Sequence, residues 1–186
     1  MGKLFYIMGK SASGKDTIYQ RLLRNPEFSL ERLVIYTTRP IRDGELDGRE
    51  YYFVTEEDFQ KLKAEGKIIE DRGYETVYGL WRYFTADNMN LEEKSYLGIG
   101  TLESYEKLKA YYGEEKIRPI YIEVEDGERL KRAIAREETQ EAPKYEEMCR
   151  RFLADAADFS EEKLKKAGVE TRFVNEDFDT TVQEVA

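Results

Sequence analysis

Histidine is absent from the 186-residue chain, and there is a single cysteine. Without an imidazole, histidine acid–base chemistry, Ser-His-Asp triads and histidine metal sites are all excluded. One thiol, Cys149 in a helical and charged setting, excludes a disulfide framework and a cysteine-rich metal centre, and it reads as a bystander. No apolar run approaches the ~20 residues of a membrane span, and Met1 leads straight into an apolar strand without a leader pattern. A cytoplasmic chain that does not engage a membrane is expected. Positive charge is also scarce: Lys and Arg total 30 against 39 Asp and Glu, a net charge of -9, so the global field repels nucleic acid and anionic lipid. A phosphorylated substrate must then be held by a local cluster of basic groups. No internal repeat or low-complexity segment is present. Phosphoryl transfer survives these exclusions, because it relies on positioning and positive charge rather than a strong base.

The most informative stretch lies near the amino terminus. Phe5-Tyr6-Ile7-Met8 is apolar, Gly9-Lys10-Ser11-Ala12-Ser13-Gly14-Lys15-Asp16-Thr17 follows, and Ile18 to Arg24 has helical character. A strand, a glycine-framed turn and a helix in that order form a phosphate cradle. Gly9 and Gly14 permit a tight turn with inward N–H groups, the helix adds its positive dipole end, and Lys15 adds a mobile cation. The run matches G-x-x-x-x-G-K-[ST] except at its last position, where Asp16 replaces the hydroxyl that ligates magnesium. Two readings of Asp16 stand side by side: a carboxylate ligand to the metal, or an anion favourable in the first helical turn. Thr17 offers a hydroxyl one position late.

The length suits one domain, residues 1–186, with room for a small inserted lobe. Strand patterns at Leu4–Met8, Leu33–Tyr36, Tyr96–Ile99, Pro119–Val124 and Thr171–Val174 alternate with amphipathic helical patterns at Lys15–Arg24, Leu102–Tyr112, Asp126–Arg136 and Tyr145–Lys166, the last broken near Asp158. This is the α/β signature of a P-loop NTPase-like parallel sheet flanked by helices. Residues 37–84 interrupt the rhythm with strand patterns at Glu50–Val54 and Lys67–Asp71 and a capping-box start at Thr55-Glu56-Glu57-Asp58, and are read as an inserted lobe. The polar segment 137–144, between two arginine-bearing helices, is read as a lid. Asp179–Ala186 reads as the opening of a helix that stops early, with a few terminal residues expected to be disordered or removed.

Downstream of the cradle comes Thr37-Thr38-Arg39-Pro40-Ile41-Arg42-Asp43-Gly44-Glu45, then Asp47-Gly48-Arg49-Glu50-Tyr51-Tyr52-Phe53-Val54. A T-T-R-x-x-R-x-G-E run followed by D-G-x-x-Y-x-F closely resembles the guanylate kinase family, over nearly the whole chain from Leu4 to Asn175. The resemblance implies a nucleotide kinase core, an acceptor-binding lobe and a lid closing over ATP. Its donor would be ATP with Mg2+, held by Gly9, Ser11, Ala12, Ser13, Gly14, Lys15, Asp16 and Thr17, with Asn175 near the ATP base. Arg39 and Arg42 match the arginines that grip the acceptor phosphate, and Tyr51 and Tyr78 match the tyrosines that complete that pocket. Guanidinium forks and phenolic hydroxyls suit phosphate oxygens. Glu70 matches the glutamate that accepts from guanine, whose N1–H and amino group form paired donors. Arg132, Arg136 and Arg151 match the arginines that stabilise the transferring phosphoryl group, with Arg150 competing for the place of Arg151.

Several family positions around the base are changed. Ile35 and Tyr36 replace hydroxyl residues, Leu80 replaces the one after Tyr78-Gly79, and Gly98 and Gly100 replace acidic residues on a core strand. The Gly-Lys-Asp ending of the loop also resembles ribose 1,5-bisphosphate phosphokinases. The leading expectation is phosphorylation of GMP to GDP by a monomer or homodimer acting on a small nucleotide or sugar-phosphate partner. A kinase for ribose 1,5-bisphosphate or another nucleotide, and a catalytically silent interaction module, remain as alternatives.

Overall fold

The computed structural model describes residues 2–76 and 78–186. Five strands, β1 (Leu4–Met8), β2 (Leu30–Arg32), β7 (Ser95–Ile99), β8 (Ile117–Glu123) and β9 (Arg172–Val174), form an all-parallel sheet in the order β2-β7-β1-β8-β9. Parallel strands need crossover helices on both faces, and the central strand is accordingly apolar throughout. Alternation along β1 sends Leu4, Tyr6 and Met8 to a core with α3 (Leu102–Tyr112) and α6 (Glu161–Lys166), through Leu102, Tyr105, Leu108 and Leu164. Ile7 faces the other way, onto Ile18, Tyr19 and Leu22 of α1 (Lys15–Leu23).

A second sheet joins β3 (Tyr36–Thr37), β4 (Tyr52–Phe53), β5 (Ile68–Thr76) and β6 (Gly79–Ala86) in the order β4-β3-β6-β5. Its outer face carries Phe84, which packs on Phe59 of α2 (Glu56–Ala64). The capping box expected at Thr55 is formed: Thr55 accepts from the Asp58 amide while Asp58 accepts from the Thr55 amide. The apolar run Leu33–Tyr36 is not the single core strand expected. Leu33 still donates to Leu97, but Leu33 and Val34 are buried where the chain crosses between the sheets, and Tyr36–Thr37 pairs with β6.

The remaining helices are α4 (Asp126–Glu138), α5 (Tyr145–Asp158) and α7 (Phe178–Val185). The break near Asp158 is real, since Ser160 caps α6 two residues later. The carboxyl-terminal segment differs from the disorder expected of it. Asp177 caps α7, Thr181 is buried, and Phe178, Val182 and Val185 pack against the α1 side of the sheet. Cys149 is a free, exposed thiol on α5.

Candidate active site

The loop between β1 and α1 is built around two glycines that tolerate no side chain. A Cβ on Gly9 would lie 2.5 Å from the Ile122 carbonyl oxygen. Gly14 has φ +84° and a Cβ there would collide with the Asn175 amide. Ala12 also takes a left-handed conformation, φ 62°, which curls the loop back on itself. Ser13 is buried, and among the described residues its hydroxyl has no hydrogen-bond partner. Lys15 opens α1 with its Nζ 3.5 Å from Asp16, whose side chain is 83 % exposed. Thr17 follows Asp16 on α1, at an exposed position.

Three residues brace this loop from behind. Asn175, after β9, donates through Nδ2 to the Ser13 carbonyl at 2.8 Å. Arg129 of α4, 1 % exposed, donates to the Ser11 carbonyl at 2.9 Å, pairs with Asp126 at 2.8 Å and reaches Asp155 of α5 at 3.5 Å. Asp155 in turn accepts from the Ser11 amide at 2.8 Å. Arg129 and Asp155 were not foreseen from the sequence. The only local signal is the Asp126–Arg129 spacing of three, because the other contacts span 118 and 144 residues.

On α4, Arg132 is tied to Glu128 at 3.1 Å and donates to the Asn175 carbonyl at 3.3 Å. Arg136 and Arg151 line a cavity of about 230 Å³ together with Ser11, Glu147 and Phe152. Neither has an ion pair among the described residues, whereas Arg150 is held by Glu147 at 2.6 Å. The geometry therefore favours Arg151 over its neighbour as a cation available to a ligand.

A second group of charged and aromatic side chains lies on the strands of the second sheet and the segments that join them. Thr37 Oγ1 donates to the Arg82 carbonyl and accepts from the Arg39 amide, fixing the start of the arginine loop. Arg39 is 4 % exposed, and its fork meets both oxygens of Glu45, at 2.8 and 2.5 Å. Hydrogen bonds from Arg39 bring the Glu45 pKa down to about 2, and the same pairing raises that of Arg39. Glu45 also accepts from the Arg42 amide at 2.8 Å, leaving the Arg42 side chain exposed. The Arg39 guanidinium lies 5.1 Å from the Tyr51 ring centre and 5.4 Å from that of Phe53. Burial raises the Tyr51 pKa. Tyr78 stands 82 % exposed at the β5–β6 hairpin end, stacked on Trp81. Glu70 is buried, accepting from Thr85 Oγ1 at 2.8 Å with Arg72 Nε 3.3 Å away.

A glycine-framed loop between a central parallel strand and a helix that opens with a lysine defines a P-loop fold. The guanylate kinase family model matches residues 1–186, and the chain belongs to that family. It is 29 % identical to the guanylate kinase of Wolbachia sp. subsp. Brugia malayi, over 100 % of this chain and 90 % of that protein. It is 30 % identical to that of Wolbachia pipientis wMel, over 100 % of this chain and 88 % of the relative. The crystal structure of guanylate kinase from Anaplasma phagocytophilum has a TM-score of 0.62 at 24 % identity, covering 99 % of this chain and 82 % of that one, and shares the fold.

Proposed function

We propose that this protein is an ATP-dependent guanylate kinase that converts GMP to GDP. The observation that carries this reading is the pairing of a side-chain-intolerant phosphate loop with the buried Arg39–Glu45 clamp in one chain. The cradle fits a triphosphate: its amides, the orphaned Ser13 hydroxyl and Lys15 all suit anionic oxygens. Among the described residues no cluster of three acidic, cysteine or histidine side chains could hold a metal alone. That fits magnesium, which binds through one or two protein oxygens plus substrate phosphates. Asp16, with Thr17 beside it, is the protein ligand of this proposal. A magnesium ion held there would supply positive charge against the donor phosphates.

Residues 37–84 act as the acceptor lobe and residues 137–144 as the lid. Arg39 and Arg42, with the hydroxyls of Tyr51 and Tyr78, hold the acceptor phosphate, and Glu70 reads the base. Gly9, Ser11, Ala12, Ser13, Gly14 and Lys15 hold the donor phosphates, with Asn175 supporting the loop. An acceptor phosphate oxygen attacks the γ-phosphorus in line, the bond to the β–γ bridging oxygen breaks, and ADP leaves. The nucleophile is already ionised, so no general base is required and the lack of histidine is no obstacle. Arg132, Arg136 and Arg151 stabilise the charge that develops on the equatorial oxygens once water is expelled. No helix among the described residues is long and apolar enough to cross a membrane, and the proposed setting is the cytoplasm.

Initial rates with ATP, magnesium and each of GMP, AMP and ribose 1,5-bisphosphate test the reading. GMP is expected to be preferred over AMP by at least about two orders of magnitude, as recognition of a base by buried polar groups permits. Preference for the sugar phosphate, or transfer to none of them, would overturn it.

A further inference from the structure

The acceptor side of the second sheet has been rebuilt around Glu70. Glu70 and Arg72 are two residues apart on β5 and so share a face, opposite their β6 partners Thr85 and Tyr83. Asp71, between them, turns to the other face and pairs with Arg82 at 3.6 Å. One Glu70 oxygen accepts from Thr85 and the other faces Arg72 Nε at 3.3 Å. A carboxylate offers about four lone-pair sites, so Glu70 can still take two more donors. Arg72 is 29 % exposed, and among the described residues its terminal nitrogens donate no hydrogen bond. Its buried Nε makes no well-formed hydrogen bond among the described residues. Its β6 partner Tyr83 lies edge-on to Tyr51, 5.6 Å between ring centres, so Arg72 stands on the strand pair that runs from Glu70 toward the Arg39–Tyr51 end of the site.

The surrounding wall accounts for the changed family positions. A Cβ on Gly98 would lie 2.6 Å from the Tyr6 ring, and one on Gly100 would collide with the Tyr6 hydroxyl. Tyr6 therefore fills the volume that side chains on that strand would need. Ile35 and Leu80 cannot donate a hydrogen bond from their side chains, and the Tyr36 ring stacks on Phe84 on the far side of the sheet. Arg72 supplies unspent donors next to Glu70.

We propose that Arg72 is a specificity-determining residue for the acceptor base. Its guanidinium donates to the O6/N7 edge of an oxopurine while Glu70 accepts from the ring N1–H and 2-amino group. The inference rests on the guanylate kinase reading and assigns a residue to it. Guanine presents two adjacent acceptors on one edge, the pattern that a guanidinium matches two-pronged, and two adjacent donors on the next. Adenine offers an amine where Arg72 needs an acceptor, and has no N1–H for Glu70.

The test compares GMP with 7-deaza-GMP, in which a C–H replaces N7, for the parent, Arg72→Ala and Arg72→Lys. The parent should prefer GMP in kcat/KM by about tenfold, the low end for one arm of such a contact. In Arg72→Ala this ratio should fall to about one, with the acceptor KM raised at least about tenfold and the ATP KM changed less than about twofold. Arg72→Lys, which keeps the charge beside Glu70 but loses the fork, should also lose most of the ratio. Because the ratio is independent of how much of each variant is folded, poor folding cannot mimic the result. A ratio in Arg72→Ala equal to a clear parental preference, or tighter GMP binding by that variant, would overturn the role of Arg72 while leaving the kinase reading intact. A parent that uses a base-free pentose phosphate and not GMP would overturn both.

Discussion

Asp155→Ala should loosen the phosphate loop without touching the acceptor. The carboxylate accepts a short charge-assisted hydrogen bond from the Ser11 amide at 2.8 Å and a long one from Arg129 at 3.5 Å. A hydrogen bond to a charged group is worth roughly 1.5–3 kcal/mol. Arg129 is not stranded, because it keeps Asp126 at 2.8 Å and the Ser11 carbonyl at 2.9 Å. The cost should therefore be about 2 kcal/mol, below the roughly 3–5 kcal/mol of stripping a buried ion of its partner. With a urea dependence of roughly 1–3 kcal/mol per molar, the unfolding midpoint should fall by about 1 M. The freed Ser11 amide lets the loop sample other shapes, so ATP should bind several-fold more weakly while GMP affinity is unchanged. Asp155→Asn keeps an oxygen for the Ser11 amide and should recover about half of the loss. A midpoint within about 0.2 M of the parent together with unchanged ATP affinity would refute the bracing role.

Lys15→Ala should reduce turnover by about two orders of magnitude or more with the thermal melt unchanged, because one preorganised charge at the transferring group is lost from an accessible side chain. Glu45→Gln bears on acid stability. The folded pKa of about 2 lies below the ordinary 4.5, so the Arg39–Glu45 contribution is complete above about pH 4.5 and drains away as pH falls toward 2. Urea midpoints of parent and variant should converge over that interval; a constant gap would show that the pair does not set it. If Asp16 is the metal ligand, Asp16→Asn should raise the magnesium concentration for half-maximal activity and Asp16→Ser should recover part of it. An unchanged midpoint in both variants leaves Asp16 as a first-turn anion, detectable as a loss of a few tenths to about 1 kcal/mol of stability.

The glycine-framed loop was legible because its geometry is local. The glycines, Lys15 and the first helical turn lie within one strand-turn-helix unit, and β1 and α3 were read with their observed bounds because each has an unbroken period. Arg129 and Asp155 were invisible because their role is a contact across more than a hundred residues, and a charged helix residue gives no sign that it will be buried. The Leu33–Tyr36 run misled because burial at a crossover and burial in a strand select the same apolar residues. Glu70 was read from its resemblance, but its Arg72 partner was not, since the i and i+2 spacing on a strand acquires meaning only when the face it points to is known.

Phosphorus NMR of the protein incubated with ATP, magnesium and GMP tests the central claim most directly. The account predicts that resonances of GDP and ADP grow together at equal rates as the ATP γ-phosphorus signal declines, and that Lys15→Ala slows this growth by about a hundredfold. ADP accumulating with inorganic phosphate instead of GDP, or an unchanged spectrum with the folded parent, would contradict it.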